Sequence, residues 1–257
     1  METIDVQRTD GIVTITLDRP AKKNAINGVM WDELLATFRE IGASSTDRAV
    51  VITGAGGAFC SGADLTARGD GPQVHQLAAM RHVADVCLAL ARLPQPVIAK
   101  VRGVAVGAGC NLALGCDLVV ASTNARFSEI FAKRGLSVDF GGTWILPRRV
   151  GLHRAKELAF FADIIDAAEA ERIGLVNRVV DDADLDAFVD DWAQRLAGGP
   201  PLAVAMTKRM LNNSMNVTLE EALDDEGAAQ TVNFSTQDTV EAIRAFVEKR
   251  TPKFEGR

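Results

Sequence analysis

Little in this chain suits a metal centre, a disulfide scaffold or a membrane span. Three histidines (His75, His82, His153) and four cysteines (Cys60, Cys87, Cys110, Cys116) are scattered over 257 residues with no C-x-x-C pair. No metal-ligand spacing results, and neither a metal nor a separate cofactor is expected. Such cysteines read as reduced thiols packed like small apolar side chains, which points to the cytoplasm. The N-terminal METIDVQRTD has no apolar core region and does not read as a secretory signal. The longest apolar stretch, residues 103–116, lacks charge for 14 residues, short of the roughly 20 a membrane helix needs. Positive charge is in deficit as well: 28 Lys and Arg against 34 Asp and Glu give a net charge of -6 and a pI near 5.2. That balance argues against nucleic acid or an anionic membrane as partner.

What the chain does hold is core material. Hydrophobic residues make up 47%, enough at this length for one large α/β domain or a domain with an appendage. Residues 4–6 and 12–17 alternate apolar and polar side chains about Asp10 and Gly11, which predicts a β-hairpin. Residues 19–27, RPAKKNAIN, form a loop with adjacent lysines. Asn27 is placed to cap a helix that carries Met30, Leu34, Leu35, Phe38 and Ile41 on one face. Short strands are expected at 49–53, 97–101 and 118–121, with a helix at 74–93 closed by Pro94 and Pro96. Residues 66–73, rich in Gly, Asp, Arg and Pro, read as a mobile loop. Further helices are expected at 142–150, 153–161 and 167–173, a last strand at 174–180, and only helices after Asp181. The loss of mixed periodicity divides a core of residues 1–195 from a helical region of residues 196–257. Repeated strand, strand, helix order predicts layers wound in one sense rather than a single alternating sheet.

Two glycine-rich turns carry the functional signal. Residues 101–117, VRGVAVGAGCNLALGCD, run from a strand end into a helix, and residues 54–64, GAGGAFCSGAD, follow an apolar run in the same manner. Gly107 and Gly109 bare the backbone where the helix begins, so peptide N–H groups near Ala108 can face a ligand oxygen. The same glycines also suit close backbone packing. Neither standard phosphate motif is present: GVAVGAG lacks the Lys-Ser/Thr of a P-loop, and its spacing is not G-x-G-x-x-G.

In order along the chain, RPAKKNAIN (19–27), AFCSGADL (58–65), PVIAKVRGVAVGAGCNLALGCDLVVAS (96–122), GGTWILPRRVG (141–151) and AFVEKRTPKF (245–254) resemble the signature blocks of the crotonase, or enoyl-CoA hydratase/isomerase, superfamily. The resemblance implies an α/β fold: a crotonase-like spiral of ββα units with a helical C-terminal trimerisation region, assembled as a homotrimer or a dimer of trimers. It implies an acyl-CoA thioester as substrate. It also implies two peptide N–H donors for the thioester oxygen, carried here by Ser61 and Ala108. Such a preset pair opposes the charge that develops on the oxygen, and losing one donor costs about 2.7–4 kcal/mol.

The family's hydratases typically carry two glutamates, at positions held here by Asn111 and Phe131. Glu129 lies two residues from the second position and is expected to point elsewhere. Adding water is best served by two proton-handling groups, and both are replaced. Asp139, within GLSVDFGGTWILPRRVG, matches instead a catalytic aspartate of enoyl-CoA isomerases of the phenylacetate-breakdown type. One carboxylate can move a proton between two carbons while the turns hold the dienolate. Phe131, Phe140 and Trp144 are expected to surround Asp139 and raise its basicity. Read without the family, Asp139 better suits a cap for the helix starting at Gly141. Asn111 fits either a bond to substrate or water, or a helix-packing amide. Lys22, Lys23 and Ala25 fall where the family's CoA loop runs, and Ala63, Asp64 and Leu65 along the adenine and pantetheine path. Lys249 and Lys253 fall in the C-terminal segment that can approach the nucleotide, in some members from a neighbouring subunit. Exposed lysines also occur as plain solvated surface. The favoured reading is an acyl-CoA isomerase with Asp139 as proton shuttle; the alternatives are an enoyl-CoA hydratase of fatty-acid β-oxidation and an acyl-CoA-binding protein without turnover.

Overall fold

Alternating side chains at the N-terminus pair as expected. Strands β1 (Ile4–Thr9) and β2 (Ile12–Leu17) run antiparallel, with Ile4 opposite Leu17, and Val13, Ile15 and Leu17 are fully buried. Asp10 and Gly11 join them with positive φ of 52° and 78°, the turn geometry whose twist suits a two-residue hairpin. The Asn27 carboxamide then accepts the Met30 N–H at 3.0 Å and starts α1 (Gly28–Ala43), whose Met30, Leu34, Phe38 and Ile41 form the buried face. The chain returns as β3 (Ala49–Gly54), parallel to β2.

The computed structural model describes residues 1–66 and 75–257. The expected loop at 66–73 therefore lies outside the described residues except for Thr66, as does Val74. After it come α2 (Gln76–Ala91), β4 (Val97–Val101), β5 (Val104–Val106), α3 (Ala108–Leu114), β6 (Leu118–Ser122) and β7 (Arg126–Ser128). A 3-10 turn at Ile130–Arg134 leads to α4 (Gly142–Phe161), β8 (Ile165–Asp166), α5 (Ala167–Arg172) and β9 (Arg178–Val180). Gly151, at φ 75° and ψ 161°, breaks α4 into the two helices expected from the sequence. Strand β9 starts four residues later than expected because the Leu175 N–H is bonded back to the Ala170 carbonyl at 2.8 Å.

The strands form two sheets. One has the order β1-β2-β3-β4-β6-β9, parallel after the hairpin, and the other the order β5-β7-β8. Central strands of a parallel sheet are covered on both faces. Val50 and Ile52 of β3 join the main core with α1 and α2, while Val51 between them meets Leu185 and Val189 of α6 (Leu185–Ala197). The expected boundary at 195/196 falls within the last turn of α6, whose Leu196 still packs against that second cluster. Beyond it lie α7 (Pro201–Asn213), α8 (Leu219–Phe234) and α9 (Gln237–Glu248). Lys208 ties α7 to the core through an ion pair with Asp117 at 2.7 Å. Many apolar side chains on the outer helices face solvent, among them Phe160, Phe161, Phe234, Ile243, Phe246 and Val247.

Candidate active site

The two glycine-rich turns converge. Cys60 pairs with Ala105 as a short parallel bridge, its N–H donating to Val104 and its carbonyl accepting from Val106, both at 2.9 Å. Gly62 has φ +99°, and a Cβ there would stand 2.9 Å from the Val106 carbonyl oxygen and 3.7 Å from the Ala108 nitrogen. Only glycine permits this approach.

Ser61 does not fit the donor role expected of it. Its N–H donates to the Lys23 carbonyl at 3.0 Å, and its hydroxyl to the Lys22 carbonyl at 3.0 Å. The neighbouring bonds, from Ile26 N–H to the Gly62 carbonyl and from Asp64 N–H to the Ile26 carbonyl, both at 2.8 Å, leave the Ala63 N–H turned the other way. It finds no acceptor among the described residues, and neither does that of Ala108, the first residue of α3. The peptide N–H groups left free where the turns meet are thus those of Ala63 and Ala108. No sequence signal separated Ser61 from Ala63: alternation along an extended segment would put their N–H groups on one side, and it is the turn at Gly62 that sets them apart.

The 19–27 loop is stitched to the first turn. Asn24, fully buried, accepts the Arg19 N–H at 2.9 Å and donates to the carbonyls of Ala55 and Ala58 at 2.9 and 2.7 Å. Arg19 also reaches Asp64 at 3.0 Å. The Thr66 hydroxyl, helped by this guanidinium, holds the Asp64 carboxyl at about 2. Ala25 is buried, whereas Lys22, Lys23 and Leu65 extend into solvent beside the turns. Lys249 ends α9 in the left-handed region. No hydrogen bond or ion pair joins it to the glycine turns among the described residues. The tail after it is fixed instead by Arg48, which donates to the Phe254 carbonyl at 2.7 Å, at the opposite end of β3 from Gly54.

Asp139 sits between the 3-10 turn and α4. Its carbonyl accepts the Gly142 N–H and the Asn111 amide, each at 3.0 Å. Its carboxyl does not cap α4: Gly141 holds that position with no side-chain bond, and Asp139 Oδ1 is buried without a partner. Burial pushes this carboxyl up to about 6. Asn111, three residues after Ala108 and fully buried, also donates to Glu129 Oε2 at 3.3 Å. Glu129 therefore does not point elsewhere; it is 2% exposed and belongs to this cluster. Burial raises it to about 7, with the charge of Asp139 adding to the rise and bonds from Asn111 and Cys110 opposing it. Phe131 lies under the second turn, 3.7 Å from where a Cβ on Gly107 would be. Phe140 turns into the core and stacks on Trp31 at 5.4 Å, and Arg148 covers Trp144 at 3.8 Å. Among the described residues no three His, Cys, Asp or Glu side chains come together as a metal site, and no helix is long and apolar enough to cross a membrane.

Parallel strands ending in converging peptide donors, a second small sheet and a helical C-terminal region define the crotonase fold. The chain belongs to the enoyl-CoA hydratase/isomerase family, which it matches over residues 7–257. Among curated relatives it is 41% identical to a protein of Rhodobacter capsulatus named "Probable enoyl-CoA hydratase", over 99% of this chain and 98% of the relative. It is 37% identical to the 1,2-epoxyphenylacetyl-CoA isomerase of Escherichia coli, over the whole of both chains. Among solved structures, the enoyl-CoA hydratase of Bacillus anthracis superposes with a TM-score of 0.95 at 34% identity, covering 99% of this chain and 100% of that one.

Proposed function

We propose that this protein is an acyl-CoA isomerase that moves the double bond of an enoyl-CoA thioester. The Asp139 carboxylate takes a proton from C2 of a 3-enoyl thioester, the electrons delocalise as a dienolate onto the thioester oxygen, and the same carboxyl returns the proton to C4. The N–H groups of Ala63 and Ala108 hold that oxygen, and α3 adds its positive end. The observation that carries this reading is the Asp139 carboxyl itself, half-buried, with Oδ1 buried and unbonded, and titrating at about 6, where an isolated base near neutrality is needed. Similarity to the epoxyphenylacetyl-CoA isomerase along the whole chain supports it. Lys22 and Lys23, exposed beside the turns, would meet the CoA phosphates as mobile charges. Exposed Phe160, Phe161, Phe234 and Phe246 support assembly as a homotrimer or a dimer of trimers, in which a neighbour's Lys249 would approach the nucleotide.

A second reading, hydration of a 2-enoyl-CoA with Asp139 alone activating water, is favoured by the hydratase naming of the Rhodobacter relative. One experiment separates them. Protein and its Asp139→Asn variant are incubated with a 3-enoyl-CoA and with crotonyl-CoA, and the products followed by mass and chromatography. Conversion of the 3-enoyl to the 2-enoyl isomer, lost in the variant, is expected; crotonyl-CoA gaining the mass of water at a comparable rate would make the protein a hydratase.

A further inference from the structure

Three buried oxygens in the Asp139 cluster lack a hydrogen-bond partner: Oε1 of Glu129, Oδ1 of Asn111 and Oδ1 of Asp139. Each such atom costs about 1–3 kcal/mol, so three in one cluster call for a chemical account. Two of them belong to side chains already joined by the Asn111 Nδ2 bond to Glu129 Oε2. An amide and a carboxylic acid close a two-bond pair, amide N–H to one carboxyl oxygen and carboxyl O–H to the amide oxygen. A carboxylate, which only accepts, cannot. One proton on Glu129 Oε1, donated to Asn111 Oδ1, would satisfy both atoms and leave Asp139 Oδ1 as the one open acceptor of the three.

We propose that Glu129 is a resident carboxylic acid that pairs with the Asn111 amide, positions the Asp139 segment through it, and leaves the negative charge of the cluster on Asp139 alone. The inference rests on Asp139 being the base of the proposed reaction. Asn111 spends one amide hydrogen on Glu129 and the other on the Asp139 carbonyl. A flipped amide would set oxygen against that carbonyl, which only accepts, so the carbonyl fixes which way the amide faces. The start of α4 rests on the same amide: a Cβ on Gly142 would collide with Asn111 Nδ2. The titratable groups facing Glu129 are the Cys110 thiol on α3 and Asp139 before α4. Lys133 and Arg134, on the turn that Glu129 starts, are exposed, and Lys133 is paired with Asp163. Burial and the charge of Asp139 thus both hold the proton on Glu129, which releases it at about 7. Glu129 is a positioning residue and does not touch substrate.

The test measures kcat and KM from about pH 5.5 to 9 for the wild type, Glu129→Gln and Glu129→Leu, with the infrared carboxyl band read on the same proteins. Wild-type kcat is expected to fall on the alkaline side as the pair opens and a second charge joins Asp139. Glutamine rebuilds both bonds without a titrating proton, so Glu129→Gln should exceed Glu129→Leu in kcat at least tenfold and lack the alkaline fall. Leucine should lower kcat with little change in KM. A protonated-carboxyl band near pH 6.5 should be present in the wild type and reduced in Glu129→Gln to the smaller share that Asp139 carries. The inference is overturned by a Glu129→Gln variant as slow as Glu129→Leu, by one that keeps the alkaline fall, or by absence of the band in the wild type. Asp139→Asn separates the two claims: turnover surviving that change defeats the proposed base, while the band still decides the state of Glu129.

Discussion

Replacing Asp139 by asparagine is expected to stabilise the protein while it removes turnover. In the unfolded chain the carboxyl titrates near 3.8, and in the fold at about 6 because burial disfavours its charged form. Between those values the unfolded chain is ionised while the folded one keeps its proton. Rising pH therefore favours unfolding until both forms are ionised. The cost is absent below about pH 3.8 and complete above about pH 6. For a fully shielded group the difference corresponds to about 3 kcal/mol; this side chain is only partly buried, and solvent screening reduces the figure to ~1–2 kcal/mol. Asparagine carries no charge to desolvate. The variant should gain that amount at pH 7.5 in urea titrations, or about 3–6 °C in Tm for a chain of this size, and the gain should shrink toward zero as pH approaches 4. A midpoint lowered at pH 7.5 would mean that the carboxylate serves structure rather than chemistry. An equal gain at both pH values would show that its charge is not strained at all.

Three further outcomes follow from the geometry. Gly62→Ala drives a methyl group to 2.9 Å from the Val106 oxygen beside the donor pair, and displacement of one donor should lower kcat by about 10²–10³, with KM far less affected. Asn24→Ala strands three backbone partners of a buried amide; a loss of about 2–4 kcal/mol is expected in chemical denaturation, and a change under 1 kcal/mol would refute the pinning role. Burial raises the thiols of Cys60, Cys110 and Cys116 well above their ordinary range, and Cys87 to a lesser degree. A disulfide-exchange reagent at pH 8 should therefore modify at most Cys87 in the folded protein and all four thiols after denaturation; rapid modification of two or more in the native state would contradict the packing.

Most elements were legible because their signals are local. The Asp10-Gly11 turn, the Asn27 cap and the Gly151 break each act within a few residues, and each stands where the sequence puts it. Strand β8, two residues long, carries no period to read, and β9 is shortened by a single bond from Leu175 that no pattern encodes. At the site, the shared strand-then-turn pattern suggested that the two turns converge, whereas Asp139 was reached only through the family resemblance. Which peptide hydrogens stay free was not readable, because Ser61 is claimed by Lys23, thirty-eight residues earlier in the chain. Glu129 escaped for a related reason. Counting residues along a short helix predicts direction, but a 3-10 start that places Glu129 ahead of the helical residues breaks that count, and the partners that draw it inward lie on α3 and before α4. Phe140, expected beside Asp139, is instead taken by Trp31 in the core.

The stitching between the 19–27 loop and the first glycine turn has a mechanical meaning. Seven bonds, two each from Asn24 and Ser61 and one each from Arg19, Ile26 and Asp64, cross between the two segments, so they move as a single jaw. On the proposed reading, the lysines at one end of this jaw meet the nucleotide and Ala63 at the other meets the thioester. The gap between those contacts is then set by the protein, like a caliper with its screw locked. A ligand that grips the far end has its carbonyl delivered to a fixed place, and the energy of that grip is available to hold the reacting carbons in line. Thioesters shortened to pantetheine or less would leave the caliper half empty, and the rate of the bound complex, not affinity alone, would register the loss.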